Sequence, residues 1–422
     1  MGRRISGLVM LLLLLAGGVR ASAATVPAKH RTHAASTAAH HTAVHRLRSS
    51  HRVASRHRAA ASSTAASPAA HGSAGVVRVS GRRRRRTRYY GERFTASSFA
   101  DVAALTAGDV TAGEDPVVRE AALQALGNMN GTVLAIDPSS GRILAMVNQR
   151  LALSAGAEPC STIKVSVALA ALKEGLIKAD TPVNLGGHYS VDLTHALARS
   201  INLYFEVLGR TMGFDRVKHY ANEFGLGELA GYNIPGEHLG VYPDTALPAA
   251  SGGVGRMCSF GESISMTPLQ LGALVSAIAN GGTLYYLQHP TTQAEVADFQ
   301  PKVKRLLEIK DVIPQILPGM QGAVDFSNGT ARSLRTNFEQ FPVFGKTGTC
   351  SDNGTRFGWF VSYGDAPTGR IVTVVFLEGG RATFGPKAAE LTGAFYRAMY
   401  DRNFFHPKTE TTASVQGGGV VR

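Results

Sequence analysis

Apolar and polar positions along the chain mark out the elements of one large folded region. Val165-Ser166-Val167-Ala168-Leu169-Ala170-Ala171-Leu172 is apolar almost all round and predicts a buried helix. Gly369-Arg370-Ile371-Val372-Thr373-Val374-Val375-Phe376-Leu377 is a near-continuous β-branched run, the pattern of a central strand covered on both faces. Val343 to Cys350 reads as an inward strand with a partner at Gly358-Trp359-Phe360-Val361-Ser362-Tyr363. Pro386 to Tyr400 is amphipathic and predicts a closing helix packed on the sheet. Ala196 to Phe205 carries a further helical pattern. The lone Trp359 is expected in the core behind the Val343–Cys350 strand.

The pattern fails over residues 25 to about 90, where Ala, Ser, Thr, His and Arg dominate and large apolar side chains are almost missing. Such a segment cannot bury a core, and disorder is expected. Charge divides at the same place. Residues 1–90 hold 17 Lys and Arg and no Asp or Glu, against a whole-chain net charge of +14, so the remainder is slightly acidic. A nucleic-acid partner would rest on this tail alone, and none is expected. Arg82 to Arg86 suits anionic lipid headgroups or envelope polymers, with a plain solvated linker as the other reading. Eight of the 14 histidines lie between His30 and His71, at irregular spacing that favours a titratable spacer over a metal tract. Ahead of them, Arg3-Arg4, the run Leu8 to Ala16 and Ala21-Ser22-Ala23 have the anatomy of an export signal, cleaved or kept as a short anchor. The expected organisation is therefore 1–24 signal or anchor, 25–95 linker, 96–408 catalytic domain and 409–422 frayed tail.

Candidate chemistry sits in three short motifs: Ser161-Thr162-Ile163-Lys164, Ser200-Ile201-Asn202 and Lys346-Thr347-Gly348. Pro159 marks a helix start, so Ser161 falls in the first turn, and Lys164 three residues on shares its face. A serine needs a neighbour to take its proton before it attacks a carbonyl. A lysine in a desolvated, cationic setting can have its pKa lowered enough to do so. Ser161 is the candidate nucleophile and Lys164 the candidate base. Lys346, Thr347 and Thr349 offer a positive charge and hydroxyls for a substrate carboxylate, and Gly348 is expected to leave room for the acyl group.

This ordered set resembles that of the penicillin-binding transpeptidases. Flanking sequence adds to the resemblance. Asp115 to Leu126 resembles that family's leading helix, and Gly131–Pro138 with Gly141–Val147 resembles its first hairpin, turned at Ser139-Ser140. Met266-Thr267-Pro268-Leu269-Gln270-Leu271 and Ile278 to Thr283 resemble the stretch between the second and third motifs. The resemblance covers about residues 110 to 400. It implies an α/β fold with a central antiparallel sheet of about five strands, flanking helices and an all-helical lobe that carries Ser200. It also implies acyl transfer on D-Ala-D-Ala stem peptides of peptidoglycan, β-lactams as covalent inhibitors, no cofactor and no metal. Ser200 would relay a proton among Lys164, Lys346 and the leaving amine. Asn202 would hold Lys164 and the substrate amide, and the backbone N–H groups of Ser161 and Thr349 would form the oxyanion hole. No glycosyltransferase domain fits in the first 90 residues.

Three cysteines occur, Cys160, Cys258 and Cys350. Cys160 precedes the nucleophile and Cys350 follows Thr349, so convergence of those two amides brings the cysteines together. Some carbapenem-hydrolysing serine β-lactamases bridge cysteines at these two places, and the resemblance implies a Cys160–Cys350 disulfide, with two buried thiols as the other reading. Cys258 is expected to be unpaired.

Two departures stand out. Phe260-Gly261-Glu262-Ser263 replaces a smaller turn, leaving Glu262 either a solvated charge or a substrate-facing carboxylate, and the 39-residue gap from Ser161 to Ser200 is short. A serine β-lactamase, a β-lactam sensor and a non-catalytic wall-binding module are the rival readings.

Overall fold

The computed structural model describes residues 93–406. The export signal, the basic linker with Arg82–Arg86 and the 409–422 tail lie outside the described residues.

In chain order the strands are β1 (Gly131–Asp137), β2 (Arg142–Val147), β3 (Val183–Asn184), β4 (Ser190–Val191), β5 (Thr283–Tyr285), β6 (Val303–Leu306), β7 (Val343–Asp352), β8 (Thr355–Ala366) and β9 (Gly369–Gly379). Five of them form the central sheet in the order β2-β1-β9-β8-β7, every pair antiparallel, while β3–β4 and β5–β6 are separate two-stranded ribbons. The β-branched run thus lies in the middle, and the strand carrying Lys346 forms an edge.

Alternation along β9 explains why the sheet is covered on both sides. Val372, Val374 and Phe376 belong to one core cluster, Ile371, Val375 and Leu377 to the other. The first cluster joins the sheet to the wholly buried helix Pro268–Ala279 and to the helical lobe. That helix begins with a reciprocal cap, in which Gln270 N–H donates to Thr267 Oγ1 at 3.1 Å and Thr267 N–H to Gln270 Oε1 at 3.0 Å. On the other face lie the helices Pro116–Leu126 and Gly385–Asp401. Asp115 caps the former, accepting from the N–H groups of Val117 and Val118 at 2.9 and 3.1 Å. Trp359 is fully buried and stacks on Phe376 at 3.8 Å between centroids, as its core position requires. Among the described residues, no helix is long and apolar enough to cross a membrane.

Candidate active site

The nucleophile's turn is tighter than the sequence pattern suggests. Cys160–Ile163 is a single 3-10 turn, and the α-helix proper runs Lys164–Lys173. The turn closes locally, since Thr162 donates to the Pro159 carbonyl through both its N–H (3.1 Å) and its hydroxyl (2.6 Å). Ser161 is left partly exposed while Lys164 is fully buried one turn on.

The second motif lies between two helices. Leu193–Ala198 ends, Ser200 adopts a left-handed backbone with φ of 56°, and Asn202 opens the helix Asn202–Met212. This reversal aims both polar side chains at Lys164. Its Nζ lies 2.8 Å from Ser161 Oγ, 3.1 Å from Ser200 Oγ and 2.5 Å from Asn202 Oδ1, and also donates to the Ser200 carbonyl at 3.2 Å. From the sheet edge, Lys346 Nζ reaches the same Ser200 Oγ at 2.8 Å and donates to the Thr347 carbonyl at 3.0 Å. All three motifs therefore converge, with Ser200 Oγ midway between two buried amines.

Electrostatics follow from that burial. Lys164 is held well below its ordinary pKa, first by desolvation and then by the neighbouring Lys346 charge, with Glu206 opposing weakly. Burial alone brings Lys346 down to about 7. Among the described residues neither lysine has an ion-pair partner, so the only groups that compensate them are hydroxyls, an amide and carbonyls. Phe205 places its ring 5.5 Å from Lys164 Nζ. Such a pair titrates jointly, with both amines held below the ordinary lysine value.

Strand β7 docks against the nucleophile's turn through Gly348. A Cβ there would lie 2.9 Å from the Pro159 carbonyl oxygen and 3.2 Å from Thr162 Cγ2. Glycine here allows the close approach of strand to the nucleophile's turn. Thr347 and Thr349 point to the opposite face. The Thr347 hydroxyl donates to Thr330 Oγ1 at 2.7 Å, while Thr349 Oγ1 accepts from Gly385 N–H at 2.8 Å and keeps its own proton to donate.

Two further ties lock turn to strand. Cys160 and Cys350 form a disulfide with their Cα atoms 5.5 Å apart. Trp359 Nε1–H donates to the Glu158 carbonyl at 3.0 Å, fixing the chain three residues ahead of Ser161. Cys258 is a buried free thiol, pushed up to about 12 by desolvation. Glu262 is half-buried and paired. It takes a 2.7 Å ion pair from Arg256 Nε, which stacks over Phe260 at 4.3 Å. Among the described residues no group of three or more His, Cys, Asp or Glu side chains converges as a metal site would.

Sequence reasoning missed Thr330, the tie from Trp359 to the Glu158 carbonyl, and Phe205. Gly329-Thr330-Ala331 lies in a loop that hydrogen-bonds back to Ala198, a long-range contact with no periodic signal.

A partly exposed serine paired with a buried lysine at the foot of a helix, beside a second serine and an edge-strand lysine, makes up the candidate site. The profile of the penicillin binding protein transpeptidase domain matches residues 131–399. This chain belongs to the penicillin-binding protein transpeptidase family. It is 26% identical over 317 residues to stage V sporulation protein D of Bacillus subtilis, covering 63% of this chain and 48% of that protein. It is 26% identical over 354 residues to peptidoglycan D,D-transpeptidase PbpA of Mycolicibacterium smegmatis, covering 67% and 71%. Toward several curated relatives, including peptidoglycan D,D-transpeptidase FtsI of Escherichia coli at 53%, the match spans about half of their length. The fold is also similar to Pseudomonas aeruginosa PBP2 solved in complex with WCK 5153, at 23% identity and a TM-score of 0.57, covering 69% of this chain and 77% of that one.

Proposed function

We propose that the protein is an exported serine D,D-transpeptidase that cross-links peptidoglycan stem peptides through an acyl-enzyme on Ser161, and a D,D-carboxypeptidase when water replaces the acceptor amine. The observation that carries this reading is the 2.8 Å contact between Ser161 Oγ and a lysine whose burial favours its neutral form.

In this account neutral Lys164 takes the Ser161 proton as Oγ attacks the carbonyl of the penultimate D-Ala. The N–H groups of Ser161 and Thr349 receive the oxyanion. Ser200, bonded to both lysines, hands its proton to the departing D-Ala nitrogen as the C–N bond breaks and takes one back from the now protonated Lys164. The Lys346 charge at the sheet edge would attract the terminal carboxylate. The amine of a second stem then attacks the ester, its proton passes to the Lys164–Ser200 pair, and Ser161 Oγ leaves protonated. Asn202 keeps Lys164 in place throughout. A β-lactam would acylate Ser161 by the same steps but retain its leaving group.

A β-lactamase needs a further base beside the acyl ester to activate water. Among the described residues no carboxylate hydrogen-bonds Ser161, Lys164 or Ser200, which favours slow hydrolysis. Arg82–Arg86 would hold the chain near anionic lipid or envelope polymer.

The reading is tested by incubating the full chain with a stem pentapeptide ending in D-Ala-D-Ala, with and without an acceptor stem. Release of D-Ala with formation of a peptide dimer is expected. Intact pentapeptide beside a protein that hydrolyses penicillin with turnover would replace the reading with a β-lactamase.

A further inference from the structure

At the far side of the molecule from β7, the chain builds a groove that the acyl-transfer site does not use. Its floor is the segment after β5, which extends the central sheet through a parallel bridge between Arg142 and Gln288. One wall is the loop Tyr232–Pro235, and the other is the short helix Gln293–Ala297 with the residues that lead into β6. The groove encloses about 630 Å³. A second trough of about 510 Å³ adjoins it, with Tyr232 and Asn233 lining both, and each is open to solvent.

The lining has a distinct chemistry. Tyr232 stands 43% exposed on the ridge between the troughs, braced edge-on by Tyr286 at 5.8 Å and covered on one side by Lys302 Nζ at 4.5 Å. Phe299 adds a second ring on the opposite wall. Asn233, Asp298, Gln300 and Lys302 all line the groove, and none of their side chains has a hydrogen-bond partner among the described residues. By contrast, the neighbouring acids are already engaged: Glu237 holds the N–H groups of Ala230 and Gly231, and Glu295 holds Thr291. The Glu237 clamp and the Tyr232 N–H bond to Leu287 at 2.7 Å fix the tyrosine loop in place. The result is a preformed surface of aromatic faces and amides, with Glu228, Glu237, Glu295 and Asp298 and the lysines Lys302 and Lys304 also in its lining.

We propose that this groove binds a glycan strand of N-acetylated hexosamines. Pyranose rings offer an apolar C–H face to an aromatic ring, and hydroxyl and acetamido groups at their edge to amide side chains. Its openness to solvent suits a polymer. An extended peptide would instead seek an unpaired strand edge and alternating apolar pockets, which this groove lacks. The proposal rests on the reading of the substrate as peptidoglycan, and it adds a second contact with the same polymer. Gln288 lies one strand beyond β2, about five strand spacings from β7 and hence roughly 24 Å away. Four stem residues extend to only about 14 Å. A sugar in the groove therefore does not carry the stem that acylates Ser161. The groove holds a neighbouring stretch of glycan and keeps the enzyme on the polymer between reactions.

The test measures binding of N-acetylglucosamine hexamer, a neutral probe that the basic tail does not attract, to the full chain by calorimetry. Penicillin acylation is followed in parallel. Binding by the parent chain is expected, lowered about tenfold by Tyr232→Ala, the scale of one aromatic contact, and lowered again by Gln300→Ala. Tyr232→Phe should retain it. Acylation by penicillin should stay within about twofold in every variant, since all lie far from Ser161. Absence of hexamer binding with normal acylation would overturn the glycan site and leave the catalytic reading standing. So would binding that is unchanged in both alanine variants, or displacement of the hexamer by a free stem peptide.

Discussion

Cys160 and Cys350 join the residue before the nucleophile to the edge strand that carries Lys346, with Cα atoms 5.5 Å apart and a sequence separation of 190. A cross-link over so long a loop is worth about 2–4 kcal/mol, mainly by constraining the unfolded chain. Replacing both cysteines by serine should lower the melting temperature by several degrees and slow penicillin acylation. An unchanged melting temperature would mean that strand and turn hold each other without the bridge.

Trp359 supplies the second tie. Trp359→Phe keeps a ring against Phe376 but removes the N–H that satisfies the Glu158 carbonyl. Leaving such an acceptor unpaired costs about 1–3 kcal/mol. The same loss should loosen the turn ahead of Ser161, and a several-fold drop in acylation rate is the expected readout. A drop in stability with no change in rate would confine the tryptophan to the core.

Gly348→Ala tests the docking of β7. The added carbon would meet the Pro159 carbonyl oxygen at 2.9 Å, backbone against backbone, so strand and turn must separate. A cost of about 1–3 kcal/mol is expected, with acylation falling more than stability alone explains. If the variant acylates normally, the close approach is not required.

The two lysines make separate pH predictions, one for activity and one for stability, and both quantities rise with pH. Lys164 works as a base only when neutral, so the acylation rate should rise with pH through a value well below that of an ordinary lysine. Lys164→Met should lose about 10²–10⁴-fold. Lys346 titrates at about 7 in the fold but near 10.4 in an unfolded chain. Between those values the unfolded chain holds the extra proton, so stability rises with pH across the window and the burial cost is greatest below it. Lys346→Met should therefore melt higher than the parent at about pH 6, with the gap closing by about pH 10, while acylation is lost. Melts at both pH values check the sign.

The sequence was most legible where chemistry and periodicity coincide. The β-branched run at Ile371–Leu377 could only be a strand covered on both faces, and it lies at the sheet's centre. Ser161 and Lys164 share a helix face by spacing alone, and their contact at 2.8 Å follows from it. What escaped were contacts made by loops across the chain. Thr330 meets Thr347 from a loop with no apolar pattern, and the Ser200 reversal depends on one left-handed residue that a helical pattern hides. Glu262 was undecidable because its partner Arg256 lies on the preceding helix, where spacing permits but does not require a pair. The turn packed against Gly348 was illegible for a related reason, since a glycine's neighbours are set by tertiary docking and not by the strand that holds it.

The central claim is that Ser161 forms a long-lived acyl-enzyme with Lys164 as its base. It is tested most directly by treating the full chain and its Ser161→Ala variant with a fluorescent penicillin and following the label over hours, with mass spectrometry to locate it. A stable adduct on Ser161, absent from the variant, is the predicted result. Label that decays within seconds as excess drug is hydrolysed, or no label at all on a folded sample, would contradict the account.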